Sequence, residues 1–136
     1  MTVKVVLAHG VFDLLHAGHL EHLKQAKAMG DYLIVSVVDD KYASKGKPIY
    51  SQKERLALLW SLRCVDHAML CGAPGPEKVI REWEPDLYVR GSDYRGKTMP
   101  ESALLARLGI PVRYTRSVPP RTGEIISRIR HGSENG

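Results

Sequence analysis

Residues 32–38 read Tyr-Leu-Ile-Val-Ser-Val-Val, and this nearly unbroken apolar run limits what the chain can fold into more than any other feature. A strand with one wet face alternates apolar and polar residues. A run without alternation suits a strand covered on both faces, which belongs to a parallel sheet with helices on either side. The rest of the 136 residues agrees, because apolar β-rich runs alternate with helical patterns.

Strands are expected at 3–8, 32–38, 65–70, 87–90 and 112–114, with a polar loop at 39–50. A helix over 18–29 carries Leu20, Leu23 and Ala26 on one side and ends at Gly30. The next opens on a capping box, Ser51-Gln52-Lys53-Glu54, and carries Leu56, Leu59, Trp60 and Leu62. Pro76 opens a third that ends before Pro85, a short fourth spans 101–108, and 122–130 forms a terminal helix with Ile125, Ile126 and Ile129 facing inward. The expected fold is α/β: one Rossmann-like domain over 1–130, a five-stranded parallel sheet flanked by helices, and a small polar tail at 131–136. Ligands of such sheets sit beyond the carboxyl ends of the strands. The loops there, 8–18, 39–50, 91–97 and 116–122, are rich in Gly, Asp, His, Lys or Arg.

The first of these loops carries the chemistry. In Gly10-Val11-Phe12-Asp13-Leu14-Leu15-His16-Ala17-Gly18-His19, two imidazoles three residues apart stand at a strand-to-helix turn. A helix N-terminus offers free N–H groups and partial positive charge. Gly18 lets an anion approach the backbone, and His16 and His19 add donors aimed at the same place. The pattern suits a phosphate.

The whole string resembles the signature of the cytidylyltransferase-like nucleotidyltransferases, in which a small turn residue, Phe-Asp and His-x-Gly-His occur at this spacing. Within that group the chain is similar to the glycerol-3-phosphate cytidylyltransferase and ADP-heptose synthase type. The Lys45-Gly46-Lys47-Pro48-Ile49 loop and the block Pro85–Tyr94 look closest to the latter's nucleotidyltransferase half. The resemblance implies that a nucleoside triphosphate, CTP or ATP with CTP the first choice, is joined through its α-phosphate to a sugar- or polyol-phosphate, with Mg2+ and release of pyrophosphate. It implies that His16, His19 and Lys45 are catalytic. It places Gly10, Val11, Phe12, Asp13, Gly18, Arg55, Arg90, Gly91, Asp93, Arg121 and Thr122 at the nucleotide. It also implies a homodimer through Arg63-Cys64-Val65-Asp66.

Each assignment has a plainer competitor. One histidine could be a helix cap, Asp13 could hold the loop, Phe12 could belong to the core, and Lys45, Lys47 and Arg55 could be surface charges. Arg55 and Arg63 would then share a helix side. Ser92-Asp93 could be a local turn. Relatives open the final helix on Ser-Thr-Thr or Ser-Ser-Thr, whereas this chain has Arg121-Thr122-Gly123, one hydroxyl and a guanidinium fork. Neither base nor acceptor follows from the residues.

Composition closes off other classes. The chain is 43% hydrophobic and 26% charged, with no apolar run of membrane-spanning length and no signal-peptide pattern. Cys64 and Cys71 form no C-x-x-C pair, and a reduced, cytoplasmic chain is expected. A net charge of +5, scattered and with few interleaved aromatics, suits a small polyphosphate better than nucleic acid. Two alternatives come from other classes. One is a zinc-dependent hydrolase using His16 and His19 with Asp13 and His22; the other is a nucleotide-binding protein without turnover.

Overall fold

The computed structural model describes residues 2–43 and 46–117. In chain order the elements are β1 (Val5–Gly10), α1 (Ala17–Ala28), β2 (Tyr32–Val37), α2 (Gln52–Trp60), β3 (His67–Leu70), α3 (Glu77–Trp83), β4 (Leu87–Arg90), α4 (Ser102–Leu108) and β5 (Val112–Tyr114). Single 3-10 turns occupy Asp40–Tyr42 and Ser92–Tyr94. No described helix is long and apolar enough to cross a membrane.

The five strands form one parallel sheet in the order β3-β2-β1-β4-β5. From β1 the chain steps outward to β2 and β3, then returns and steps the other way through β4 and β5. Strand order therefore reverses between β1 and β4, and a crevice opens outside their carboxyl ends. The sheet is covered on both faces, as the run at 32–38 predicts. Val6, Ala8, Leu33, Val35 and Val89 pack with Leu23 and Ala26 of α1 and Leu59 of α2. Leu7, Ile34 and Tyr88 pack on the other side with Val79 and Ile80 of α3 and Leu104 and Leu105 of α4. Each fully buried aliphatic side chain contributes roughly 1.5–3 kcal/mol relative to exposure.

Local chemistry sets the ends of the elements. Ser51 caps α2, accepting from Glu54 N–H at 3.2 Å while the Glu54 carboxylate accepts from Ser51 N–H at 3.2 Å. Gly109, with φ of 70°, closes α4, and Glu84 takes the same left-handed role after α3 at φ of 43°. Three expectations shift. β1 begins at Val5 and runs on to His9 and Gly10, because the Lys4 carbonyl turns to accept from Asp31 and Tyr32 N–H. β3 begins at His67, since Val65 N–H closes a turn onto Leu62. α2 ends at Trp60, so Arg63 lies beyond it and shares no helix side with Arg55. Asp66 is engaged within the chain, pairing with Lys27 and accepting from Leu33 N–H at 2.8 Å. The expected helix over 122–130 and the tail at 131–136 lie outside the described residues.

Candidate active site

The connection from β1 to α1 is held in a conformation that its sequence alone would resist. Phe12 and Leu14 both adopt left-handed backbone, at φ of 54° and 48°. Such residues persist only where surroundings over-determine them, and they cluster at functional sites. Here the surroundings are identifiable. The Phe12 ring is buried in the α1/α2 core. The Asp13 carboxylate accepts from Ile49 N–H at 2.8 Å and from Tyr50 N–H at 3.0 Å, bonds that hold its pKa below the usual carboxylate value.

Arg55 completes the brace. Its side chain is 0% exposed. Nη1 donates to the carbonyls of Val11 at 2.7 Å and Val38 at 2.8 Å, Nε to Tyr50 at 3.2 Å, and Nη2 pairs with Asp40 Oδ1 at 2.7 Å. The guanidinium beside Asp40 keeps that carboxyl low. Arg55 and Asp13 therefore fasten the loop instead of facing a ligand. Arg55 is fully buried, spends four of its five N–H donors on the protein and is absent from the lining of the cleft described below, so the structure places it behind the loop and not with the cleft residues it was expected to join. Asp13 makes the loop-holding contacts that its plainer reading expects.

The fastened loop delivers two histidines in matched orientation. His16 is the N-cap of α1, and its Nδ1 accepts from Gly18 N–H at 3.0 Å; His19 Nδ1 accepts from His16 N–H at 3.3 Å. The rings lie with centroids 4.0 Å apart. Because each Nδ1 is an acceptor, the proton of each neutral ring sits on Nε2. Capping and ligand binding are thus compatible in one residue: the cap uses Nδ1 and leaves Nε2–H. Gly18 is required here, since a Cβ at this position would stand 2.7 Å from His16 Cε1. Burial, then the neighbouring His16, lowers the His19 pKa.

These groups open on a cleft of about 420 Å³ at the reversal point of the sheet. Of the residues expected at the site, Gly10, Val11, Phe12, His16, Gly18, His19, Arg90, Gly91 and Asp93 line it together. Lys45, Arg121 and Thr122 lie outside the described residues. Arg90, at the end of β4, is 8% exposed, stacks 3.8 Å over the Tyr94 ring and donates through Nη1 to the His9 carbonyl at 2.9 Å. Its Nε is buried without a partner among the described residues. The Asp93 side chain folds beside Gly91, where a Cβ would stand 2.7 Å from its Oδ1.

The cleft also contains residues that the sequence did not single out. His9 lines it, with Nδ1 3.1 Å from Ser36 Oγ, and burial together with Arg90 pushes its pKa down to about 3. Tyr94, Thr115, Arg116 and Ser117 complete the far wall. One signal for His9 was available, a polar residue at the carboxyl end of the central strand. Gly91–Thr98 has the Gly-x-x-x-x-Gly-Lys-Thr spacing of a P-loop. It folds otherwise: a 3-10 turn covers Ser92–Tyr94, and the next helix opens only at Ser102. The zinc arrangement does not assemble. His22 Nδ1 turns to Thr115 Oγ1 at 2.6 Å, Asp13 is spent on the loop, and no group of three metal-ligating side chains converges among the described residues.

Comparison with known proteins places this geometry. The cytidylyltransferase-like family model matches residues 7–107. The bifunctional protein HldE of Helicobacter pylori J99 is 42% identical over 105 residues, covering 74% of this chain and 23% of the relative. The HldE of Streptomyces coelicolor is 40% identical over 109 residues, covering 77% and 24%. The chain thus spans about a quarter of the length of these curated relatives. Among solved structures, the lipopolysaccharide core biosynthesis protein of Thermoplasma volcanium superposes with a TM-score of 0.69 at 36% identity, over 86% of this chain and 98% of that one. The pantoate-beta-alanine ligase of Francisella tularensis, complexed with beta-gamma ATP and beta-alanine, shares the fold at a TM-score of 0.60 and 16% identity, over 89% and 62%. Matching from the first buried strand to the fourth helix, with the paired histidines inside the match, this chain belongs to the cytidylyltransferase-like family.

Proposed function

We propose that the chain transfers a nucleotidyl group from a nucleoside triphosphate to a sugar 1-phosphate. An acceptor phosphate oxygen attacks the α-phosphorus, the bond from that phosphorus to the bridging oxygen breaks, and pyrophosphate leaves with the electron pair. Such a reaction needs positioning and fixed donors rather than a covalent nucleophile. One observation carries the reading: both cleft histidines are locked through Nδ1, which leaves two preoriented Nε2–H donors beside the N-terminus of α1.

In this mechanism His16 and His19 bind the triphosphate and stabilise charge growing on its oxygens. Gly18 admits the phosphates close to the backbone. Gly91 and Asp93 hold the nucleoside, and Arg90 neutralises phosphate. Lys45, Arg121 and Thr122 are proposed to add further phosphate contacts. The cleft fits Mg2+ carried on the substrate, because this cation keeps water and phosphate ligands and takes only one or two carboxylates. Asp93, the carboxylate lining the described cleft, is assigned to the nucleoside, so the metal would be held chiefly by phosphate oxygens and water. When bound, Mg2+ would neutralise the departing pyrophosphate.

The similarity to the HldE proteins favours ATP over CTP and a heptose 1-phosphate as acceptor. The likeness to a lipopolysaccharide core biosynthesis protein likewise supports a sugar phosphate over glycerol 3-phosphate. The test is pyrophosphate release with Mg2+ from ATP, CTP, UTP and GTP, each against heptose 1-phosphate, hexose 1-phosphates and glycerol 3-phosphate. ATP with the heptose ester should turn over fastest, and His19→Ala should slow it on the order of a hundredfold or more. Nucleotide binding without pyrophosphate from any pair, or full turnover in His19→Ala, overturns the proposal.

A further inference from the structure

His9 and Arg90 stand between two cavities. The nucleotide cleft lies on one side. On the other, a second cavity of about 440 Å³ is lined by Pro74, Gly75 and Glu77 ahead of and at the start of α3, and by Met99 and Glu101 ahead of α4. His9, Arg90 and Tyr94 line both. A reaction that joins two anions requires two seats and one place where they meet, and the partition has the properties of that place.

Arg90 is 8% exposed, yet its Nε has no hydrogen-bond partner among the described residues. A buried donor left unmade costs roughly 1–3 kcal/mol, a cost removed when a ligand oxygen accepts from it. The arginine is held for that purpose, stacked on Tyr94 and anchored through Nη1 to the His9 carbonyl. The His9 ring is fixed in turn by Ser36 Oγ on β2, a fully buried hydroxyl. Burial and the adjacent guanidinium keep His9 uncharged down to about pH 3, so Arg90 is the charged member of the partition. The body of the second cavity is amphipathic. Pro74 and Met99 offer apolar surface, and Glu77 offers a carboxylate acceptor for hydroxyl groups, a combination that suits a sugar.

We propose that His9 is a positioning residue for the acceptor: a phosphorylated sugar occupies the second cavity, and His9 holds its phosphate against Arg90, facing the α-phosphorus of the nucleotide across the partition. This deepens the nucleotidyl-transfer reading and rests on it.

Two measurements on the intact chain test it. In amide NMR titrations, ATP with Mg2+ should shift Gly18, His19 and Gly91, whereas a hexose 1-phosphate added as probe should shift Gly75, Glu77 and Glu101. In steady-state assays, His9→Phe keeps the bulk of the wall and removes its ring nitrogens. It should raise the acceptor KM tenfold or more while the nucleotide KM stays within threefold, and His9→Asn should recover part of the loss. A probe that shifts the Gly18 and His19 amides but not Gly75 and Glu77, or a His9→Phe enzyme whose two KM values rise equally or not at all, overturns the acceptor seat while nucleotidyl transfer stands. A nucleotide that leaves Gly18, His19 and Gly91 unmoved overturns nucleotidyl transfer itself, and this inference with it.

Discussion

Arg55 and Arg90 are both buried cations beside the β1–α1 loop, and they do opposite things. Arg55 has each of its three nitrogens bonded, to three carbonyls and one carboxylate. Arg90 has a buried Nε with no partner among the described residues and lines two cavities. The lesson is that burial and charge do not by themselves mark a functional residue; a spare donor does. A satisfied arginine holds backbone in place, and one left partly unsatisfied waits for something else to accept.

The contrast can be broken by matched substitutions that keep volume and remove the guanidinium. Arg55→Met strips donors from the Val11, Val38 and Tyr50 carbonyls and should cost about 3 kcal/mol or more of stability, read as a shift in denaturant midpoint. Well below its melting temperature the variant should retain most of its nucleotide affinity. Arg90→Met should lose only about 1 kcal/mol of stability but on the order of a hundredfold in turnover. If the two variants exchange these phenotypes, the distinction between brace and ligand group is wrong.

A smaller effect sharpens the comparison through pH. In the folded chain His9 takes up a proton only near pH 3, against 6.5 ordinarily. Between those values the unfolded chain binds the extra proton, so stability should fall as pH is lowered from about 6.5 toward 3. The lowered pKa values of His19 and His22 act in the same direction. Denaturant midpoints at pH 7 and pH 5 should therefore differ less in His9→Phe than in the parent. An equal difference in both would mean that the partition imidazole is not held neutral by its surroundings.

The smallest effects concern backbone strain. Glu84 and Leu14 both hold left-handed φ, one at the end of α3 and one inside the histidine loop. Replacing either with Gly should stabilise by about 1 kcal/mol or less. Only Leu14→Gly should slow turnover, by a few-fold, because only there does strain hold the side chains proposed to bind the triphosphate, His16 and His19. Equal activity in both would remove that role from the loop.

The two arginines also show how far the residues could be read directly. The capping box at Ser51–Glu54 uses contacts three residues apart, and it folded as its pattern predicts. Arg55, the next residue, looked like a helix charge or a phosphate ligand. Its actual partners lie at Val11, Val38, Asp40 and Tyr50, and no local spacing contains them. Asp13 is the same case, since its carboxylate is used up by amides 36 and 37 residues away. The His16–His19 pair sits between these extremes. Its spacing marked the turn, and capping a helix and facing a phosphate read as alternatives; in the structure the caps use Nδ1 alone, so the two roles do not compete.

What the chain's own order determined is whatever depends on neighbours along it: helix and strand types, their caps, the doubly covered parallel sheet and the histidine turn. These follow from periodicity and short-range hydrogen bonds, which are printed in consecutive residues. Only the tertiary structure decided the strand order, the reversal between β1 and β4, the division of labour between Arg55 and Arg90, and the place of His9 on the wall between two cavities. Those depend on which distant groups are brought within 3 Å of each other. A side chain's role there is set by what is left unbonded after folding, a quantity that no stretch of sequence contains.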